Sequence, residues 1–239
     1  MDEMVSMTLN GASVTAGKGT PLLTIARGMN VYIPTLCNND ALAPYGVCRM
    51  CLVEIEKGGR RRVVTSCNYP AEEGLSVTTD TQRVVKTRNV VMELLLARAP
   101  QNKTIVDLAA RLGVTGGRLT PVNDDCILCG MCVRTCEEVV GVSALGFFSR
   151  GTTRMPTTPF AEPSETCIGC GSCVYVCPTN YIKMEDKDGK RYIYNWKVEL
   201  ELVSCKKCGL PIAPKRQLDH IRKIANLPDD FYDLCFSCR

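Results

Sequence analysis

Alternating apolar and polar positions open the chain. Met4 to Leu9 and Ala12 to Ala16 flank Asn10-Gly11, a pair that tolerates positive φ and so suits a tight hairpin turn. Gly17-Lys18-Gly19-Thr20-Pro21 then introduces a short helix, Pro21 to Gly28, with Thr20 as its N-cap and Pro21 in the first helical position. Lys18 and Gly19 lie in a run without the full phosphate-loop pattern, so a plain turn is the better reading. Leu52 to Glu56 and Arg62 to Ser66 predict a second hairpin around Lys57-Gly58-Gly59-Arg60, and Leu75 to Thr79 a last short strand. Two hairpins and one helix make a β-grasp module ending near Thr81.

The period changes at Gln82. From there to Ala97, Val84, Val85, Val91, Leu94 and Leu95 recur at near-helical spacing, and Ile105, Leu108, Ala109 and Leu112 repeat the pattern in a second helix. Gly113 to Gly117 stop it, and Pro121 to Asp125 lead onward from what reads as a packed helical hairpin. Between Lys190 and Val203, alternation of Tyr192, Tyr194, Trp196, Val198, Leu200 and Leu202 predicts a single strand with one apolar face, and Lys215 to Ala225 a short basic helix. The fold class is α+β, in several small modules.

The chain has 239 residues, 45% of them hydrophobic but only 6% aromatic, so its modules have modest cores that bound metal would reinforce. Met1-Asp2-Glu3-Met4 is neither a basic nor an apolar leader, and no run of 18 apolar residues occurs, so neither export nor a membrane span is expected and a cytoplasmic location is. In that setting 16 cysteines point to metal ligation rather than to disulfides. Ligation also changes the charge. The formal +4 falls by about 2 for each four-thiolate centre, so four centres bring it to about −4 and remove the compositional case for nucleic acid.

The cysteines fall into four sets of four. Cys37, Cys48, Cys51 and Cys67 have the spacing C-x10-C-x2-C-x15-C. Spacing alone permits a zinc site; the β-grasp pattern around the ligands favours a [2Fe-2S] cluster, with the loop Gly46-Val47-Cys48-Arg49-Met50-Cys51 bringing amides toward the sulfides. Through Ile33-Pro34-Thr35-Leu36-Cys37, Gly46-Val47-Cys48-Arg49-Met50-Cys51-Leu52-Val53-Glu54 and Thr65-Ser66-Cys67, the segment resembles the N-terminal domain of the large iron-sulfur subunit of respiratory complex I and the small diaphorase subunit of NAD-linked hydrogenases. In that family a further [4Fe-4S] cluster, held by one His and three Cys, follows the helix corresponding to Val91 to Ala97. Here Arg98-Ala99-Pro100-Gln101-Asn102 stands in its place, no Cys or His lies between Cys67 and Cys126, and the only histidine is His220. That cluster is therefore expected to be absent.

Cys126-x2-Cys129-x2-Cys132-x3-Cys136 and Cys167-x2-Cys170-x2-Cys173-x3-Cys177-Pro178, 41 residues apart, are two copies of the bacterial two-cluster ferredoxin run. Three thiolates within seven residues serve one [4Fe-4S] cluster, and the fourth comes from the other run because the close turn keeps it from its own. Cys126, Cys129, Cys132 and Cys177 thus form one predicted site, and Cys136, Cys167, Cys170 and Cys173 the other. Gly130, Gly169 and Gly171 let amides approach the sulfurs, and Glu137 replaces the usual proline after Cys136.

Cys205, Cys208, Cys235 and Cys238 form C-x2-C-x26-C-x2-C, the usual form of a structural zinc ribbon. A single-iron rubredoxin-like centre or a third [4Fe-4S] cluster uses the same four thiolates, and His220 is expected to be a solvated surface residue.

No G-x-G-x-x-G opens a helix, so no flavin or NAD site is recognisable. The expected layout is a [2Fe-2S] ferredoxin-like domain (1–81), a helical linker (82–122), a two-[4Fe-4S] ferredoxin-like domain (123–189) and a C-terminal four-cysteine zinc-ribbon-like module (190–239). The resemblance implies an electron-transfer subunit of a soluble NAD(P)H-linked flavoprotein oxidoreductase with no substrate-converting site of its own. The missing His-ligated cluster and the added C-terminal set are closest in organisation to accessory subunits of electron-bifurcating ferredoxin/NAD(P) transhydrogenases. The partners so implied are a flavoprotein NADH-oxidising subunit, a second flavin-containing or other catalytic subunit, and ferredoxin. Alternatives are a subunit of an NAD-linked hydrogenase or formate dehydrogenase, and a free-standing multi-cluster carrier. A regulatory protein binding nucleic acid through Lys206, Lys207, Lys215 and Arg216 is a further one, although such a run is more often a solvated face.

Overall fold

A computed structural model describes residues 3–122 and 124–239; Met1 and Asp2 of the Met1 to Met4 run and Asn123 of the Pro121 to Asp125 segment lie outside the described residues. The chain divides into two compact units, Met1–Cys129 and Gly130–Arg239.

In the first unit, β1 (Met4–Leu9) and β2 (Ala12–Gly17) form the predicted hairpin. β3 (Leu52–Lys57) and β4 (Arg60–Thr65) form the second, Lys57 pairing with Arg60 across Gly58 and Gly59. Both glycines have positive φ (57° and 75°), as a two-residue turn of this hand requires. β5 (Ser76–Thr78) joins the hairpins, parallel to β1 and antiparallel to β3, giving the order β2-β1-β5-β3-β4. The alternation sends Val5, Met7 and Leu9 inward, where they meet Leu22, Leu23 and Ala26 of α1 (Leu22–Gly28) together with Val53, Ile55 and Val77. Each of the Val, Leu, Ile and Met side chains, fully buried, stabilises the unit by about 1.5–3 kcal/mol. Helix on sheet is the arrangement of a β-grasp module.

Thr20 is not the cap of α1. Pro21 holds that position without a side-chain hydrogen bond, while the Thr20 carbonyl accepts from Ala71 N at 2.8 Å and ties the turn to the segment after Cys67.

Helix α2 (Gln82–Arg98) is capped by Thr81, whose Oγ1 accepts from Val84 N at 3.3 Å. Its buried stripe differs from the one predicted. Val84, Arg88 and Met92 face inward at successive i+4 steps, while Val85 and Leu94 are exposed. Apolar residue types are spread round the helix and a guanidinium occupies the inner face, so the pattern of residue types misplaces it. Helix α3 (Lys103–Arg111) buries Ile105, Leu108 and Ala109 as expected.

In the second unit the repeat is visible in the backbone. Gly130 (φ 73°) and Gly171 (φ 75°) cap the short helices α4 (Met131–Arg134) and α5 (Ser172–Tyr175) in the left-handed conformation. The copies diverge where Glu137 replaces proline. Having an N–H, Glu137 lets α4 run on as a π-turn over Thr135–Val139, whereas Pro178 stops its counterpart. Between the copies, β6 (Gly146–Phe148) and β7 (Met155–Thr157) form a small hairpin.

The predicted strand from Lys190 to Val203 is two strands. β9 (Lys190–Ile193) and β10 (Val198–Ser204) are antiparallel around the 3-10 turn Tyr194–Trp196, with Lys197 left-handed at φ 52°. Ile193 rather than Tyr192 or Tyr194 is buried, so the alternation changes phase at the turn. With β8 (Met184–Lys187) and β11 (Pro211–Pro214) the order is β11-β10-β9-β8, followed by α6 (Lys215–Ala225). Among the described residues, no helix is long and apolar enough to cross a membrane.

Candidate iron-sulfur and metal centres

The first quartet sits where the β-grasp sheet meets an irregular loop. Cys37, Cys48 and Cys51 lie in the loop between α1 and β3, and Cys67 just after β4; all four are buried. The thiols fall into two close pairs, Cys37 with Cys48 and Cys51 with Cys67. Hydrogen bonding to Cys67 draws Cys51 down to about 7, while Cys67 and Cys48 are pushed up by their partners and by burial. Neighbouring thiolates repel one another, a cost that a bound cation relieves, and two pairs suit a two-iron core with one pair on each iron.

The loop is held by groups that the cysteine spacing does not reveal. Gly46 (φ 70°) packs so tightly that a Cβ would come within 2.9 Å of Asn68 Nδ2. Arg88 reaches in from α2 and donates to the carbonyls of Met50 (3.2 Å), Leu52 (2.7 Å) and Thr79 (3.1 Å). Burial lowers its pKa, and the Cys51 thiolate opposes that shift. A cationic clamp on the carbonyls beside Cys51 offsets the negative charge that thiolates bring to the loop. Sequence reasoning misses Arg88 because it sits at a helical position otherwise read as polar surface.

Cys126 and Cys129 lie at the end of the first unit. The carbonyl of Cys126 accepts from Arg98 Nε, and its N–H donates to Asp124 Oδ1 at 3.1 Å. Cys132 and Cys177 belong to the second unit; Cys132 is buried in its core and Cys177 packs against that core. The Cys177 sulfur accepts from Tyr181 N at 3.3 Å. Beyond α2 the walls of a pocket include Glu93, Leu96, Pro100 and Leu119.

Cys136 from the first run lines the same cavity as Cys167, Cys170 and Cys173 from the second. The space between them is otherwise walled mainly by Val140, Leu145, Ile193 and Trp196. Its donors are aimed at sulfur: Ala144 N lies 3.2 Å from Cys136 Sγ, and the backbone N–H of Gly169 bonds to Cys167. Trp196 Nε1 donates to Cys173 Sγ at 3.4 Å. Burial pushes Cys173 up to about 12, against the pull of the indole. A largely apolar space with four thiols, Cys173 buried and the others half-buried, and several N–H donors fits a [4Fe-4S] cluster, whose charge those donors would spread.

The second unit's later strands and helix brace this loop. Arg191 donates to the Gly169 carbonyl at 3.0 Å, Arg216 to the Glu165 carbonyl at 3.1 Å, and His220 Nε2 lies 3.1 Å from the Val140 carbonyl. His220 is thus half-buried and hydrogen-bonded rather than solvated.

The last quartet has a different geometry. The sulfurs of Cys205, Cys208, Cys235 and Cys238 all lie within 4.8 Å of one another, with Cys208 and Cys235 at 3.6 Å. The knuckle closes through Gly209 N to the Cys205 carbonyl (2.9 Å), and Cys235 N donates to Cys205 Sγ (3.3 Å). Backbone N–H groups of Cys235 and Cys208 draw Cys205 down to about 6, while hydrogen bonding to Cys208 raises Cys238 to about 12. One ion with bonds of about 2.3 Å sets tetrahedral thiolates about 3.8 Å apart. A four-iron cube, whose own body lies between the thiolates, holds them farther apart.

Fold and thiolate sets together define a chain of iron-sulfur electron-transfer domains. Residues 2–82 match the 2Fe-2S iron-sulfur cluster binding domain family, residues 121–184 a 4Fe-4S dicluster domain family, and residues 166–213 a second 4Fe-4S dicluster domain family. The chain is 33% identical over 201 residues to NADPH-Fe(3+) oxidoreductase subunit alpha of Geobacter sulfurreducens, covering 74% of this chain and 24% of that protein. It is 31% identical over 202 residues to the mitochondrial NADH dehydrogenase (ubiquinone) iron-sulfur protein 1 of Solanum tuberosum, covering 74% and 27%. Among solved structures, an NAD+-reducing [NiFe]-hydrogenase in the H2-reduced state superposes with a TM-score of 0.57 at 26% identity, over 64% of this chain and 74% of that one. The chain is homologous to these iron-sulfur proteins, as its resemblance to the complex I and diaphorase subunits implies, and it spans about a quarter of the length of the two curated relatives.

Proposed function

We propose that the chain is the iron-sulfur electron-transfer subunit of an NAD(P)H-linked flavoprotein oxidoreductase complex, relaying single electrons between flavin sites on partner subunits. The observation that carries this reading is the cavity shared by Cys136 and the Cys167, Cys170 and Cys173 loop, because a ligand crossing between two runs is what a two-cluster electron carrier requires. Cys37, Cys48, Cys51 and Cys67 would hold a [2Fe-2S] cluster; Cys126, Cys129, Cys132 and Cys177 one [4Fe-4S] cluster; and Cys136, Cys167, Cys170 and Cys173 the other. When bound, these groups supply one-electron transfer, so a two-electron hydride donor needs a flavin on a partner to divide its pair. Three domains carry the cysteine sets, 1–81, 123–189 and 190–239, and 82–122 is a helical linker.

Within this class we assign the chain to the electron-bifurcating ferredoxin/NAD(P) transhydrogenases. The lack of Cys and His between Cys67 and Cys126 and the added C-terminal set support that choice over a hydrogenase or formate dehydrogenase subunit. The C-terminal set is assigned to structural zinc on its single-ion spacing. The dicluster match over residues 166–213 includes Cys205 and Cys208, so the competing occupant is a further cluster. Of the basic residues there, Lys206 pairs with Asp233 and Arg216 serves backbone carbonyls.

Purification from the native host under argon, without added partners, tests the reading. The chain is expected to elute in a larger complex with a flavoprotein, its clusters reduced by NADH or NADPH only in that complex. A monomer near 26 kDa that carries the full activity alone would overturn it.

A further inference from the structure

Trp196 is the only tryptophan of the chain, and it lies outside both cysteine runs, in the turn between β9 and β10. It is 2% exposed, packed in one core with Cys132, Leu145, Cys173 and Ile182. The turn is pinned from both sides. Asn195 Oδ1 accepts from Lys183 N at 2.8 Å, Asn195 Nδ2 donates to the Tyr181 carbonyl at 3.3 Å, and Tyr194 N donates to the Lys183 carbonyl at 3.1 Å. The indole N–H has one partner in this setting, the Cys173 sulfur at 3.4 Å. An indole can only donate, so this buried contact has a fixed polarity.

We infer that Trp196 is a positioning and potential-setting residue for the four-iron site of Cys136, Cys167, Cys170 and Cys173, raising its reduction potential through an N–H bond to Cys173. The inference rests on that site holding a [4Fe-4S] cluster. One-electron reduction adds negative charge that is shared with the ligand sulfurs. A donor aimed at sulfur stabilises the reduced state more than the oxidised one, and in a buried site water does not screen the difference. The indole thus makes this site a better electron acceptor than the same four thiolates without it. The turn that carries it belongs to β9–β10, so the strands beyond the cluster runs serve the cluster as well as the fold.

The test uses the full chain, anaerobically reconstituted, with EPR-monitored redox titration of the wild type and Trp196→Phe. Phenylalanine keeps an aromatic ring in the core and removes the donor, together with part of the indole's bulk. One of the two four-iron signals is expected to move to lower potential while the other and the two-iron signal stay in place. An unmoved pair of midpoints would overturn the inference. Should the variant fail to load, the wild type labelled with indole-15N tryptophan decides the matter, because the label marks a single residue. Nitrogen hyperfine coupling to one reduced four-iron cluster supports the bond, and its absence from both contradicts it. A wild type with fewer than two four-iron signals would instead show that the underlying site assignment is wrong.

Discussion

The first and last cysteine quartets hold the same four atoms in opposite ways. Cys37, Cys48, Cys51 and Cys67 separate into two close pairs inside a β-grasp core, with a buried guanidinium clamping the loop between them. Cys205, Cys208, Cys235 and Cys238 converge on one point near the surface, with Cys208 exposed. On the proposed reading, the sulfur arrangement separates a two-metal core from a single ion, which neither the number of thiols nor their presence in C-x2-C motifs does. The surroundings agree with it. An electron-transfer site is helped by burial and aimed N–H donors that set its potential, whereas a structural ion needs only a closed tetrahedron.

The largest effects come from removing ligands. Cys51→Ala should abolish the two-iron EPR signal and lower iron by about two per chain while leaving both four-iron signals. Replacing Cys235 and Cys238 together by serine should leave about ten irons in place and release about one zinc. A loss of about four irons from that double variant would break the contrast at its C-terminal end.

The clamp comes next. Arg88→Met leaves three buried carbonyls without their donor and is expected to cost about 2–4 kcal/mol in anaerobic chemical denaturation. Its two-iron absorbance should also bleach faster in air than that of the wild type, the four-iron signals being indifferent. Smaller effects follow from the loop glycines. A Cβ on Gly169 would lie 2.7 Å from Leu200 Cδ1 and 3.1 Å from Pro214 Cγ, at a φ of 70°. Gly169→Ala should therefore cost about 1–3 kcal/mol by overpacking. Gly171→Ala meets only the flexible end of Met184, at 2.9 Å, and should cost less in the same assay. Smallest is Lys206→Ala, which removes an exposed ion pair with Asp233 and should change stability by about 0–1 kcal/mol with zinc retained.

The sequence makes the thiolate sets legible because ligand chemistry constrains spacing directly: three cysteines in seven residues leave little else for them to do. It makes the hairpins legible because Asn10-Gly11 and Gly58-Gly59 need positive φ, and the structure supplies it. What stays hidden depends on tertiary contact. Arg88 reads as helix surface, Trp196 as one member of an alternating strand, and His220 as solvated, because each takes its role from a carbonyl or sulfur distant in the chain. The buried stripe of α2 is hidden for the same reason, since a guanidinium on the inner face defeats any pattern read from apolar residues.

Quantitative iron, zinc and acid-labile sulfide analysis of the anaerobically purified chain, with EPR integration on the same sample, tests the electron-relay account most directly. The account predicts about ten irons, about ten sulfides and about one zinc per chain, distributed over one two-iron and two four-iron signals. Zinc in all four sites with no labile sulfide would contradict it.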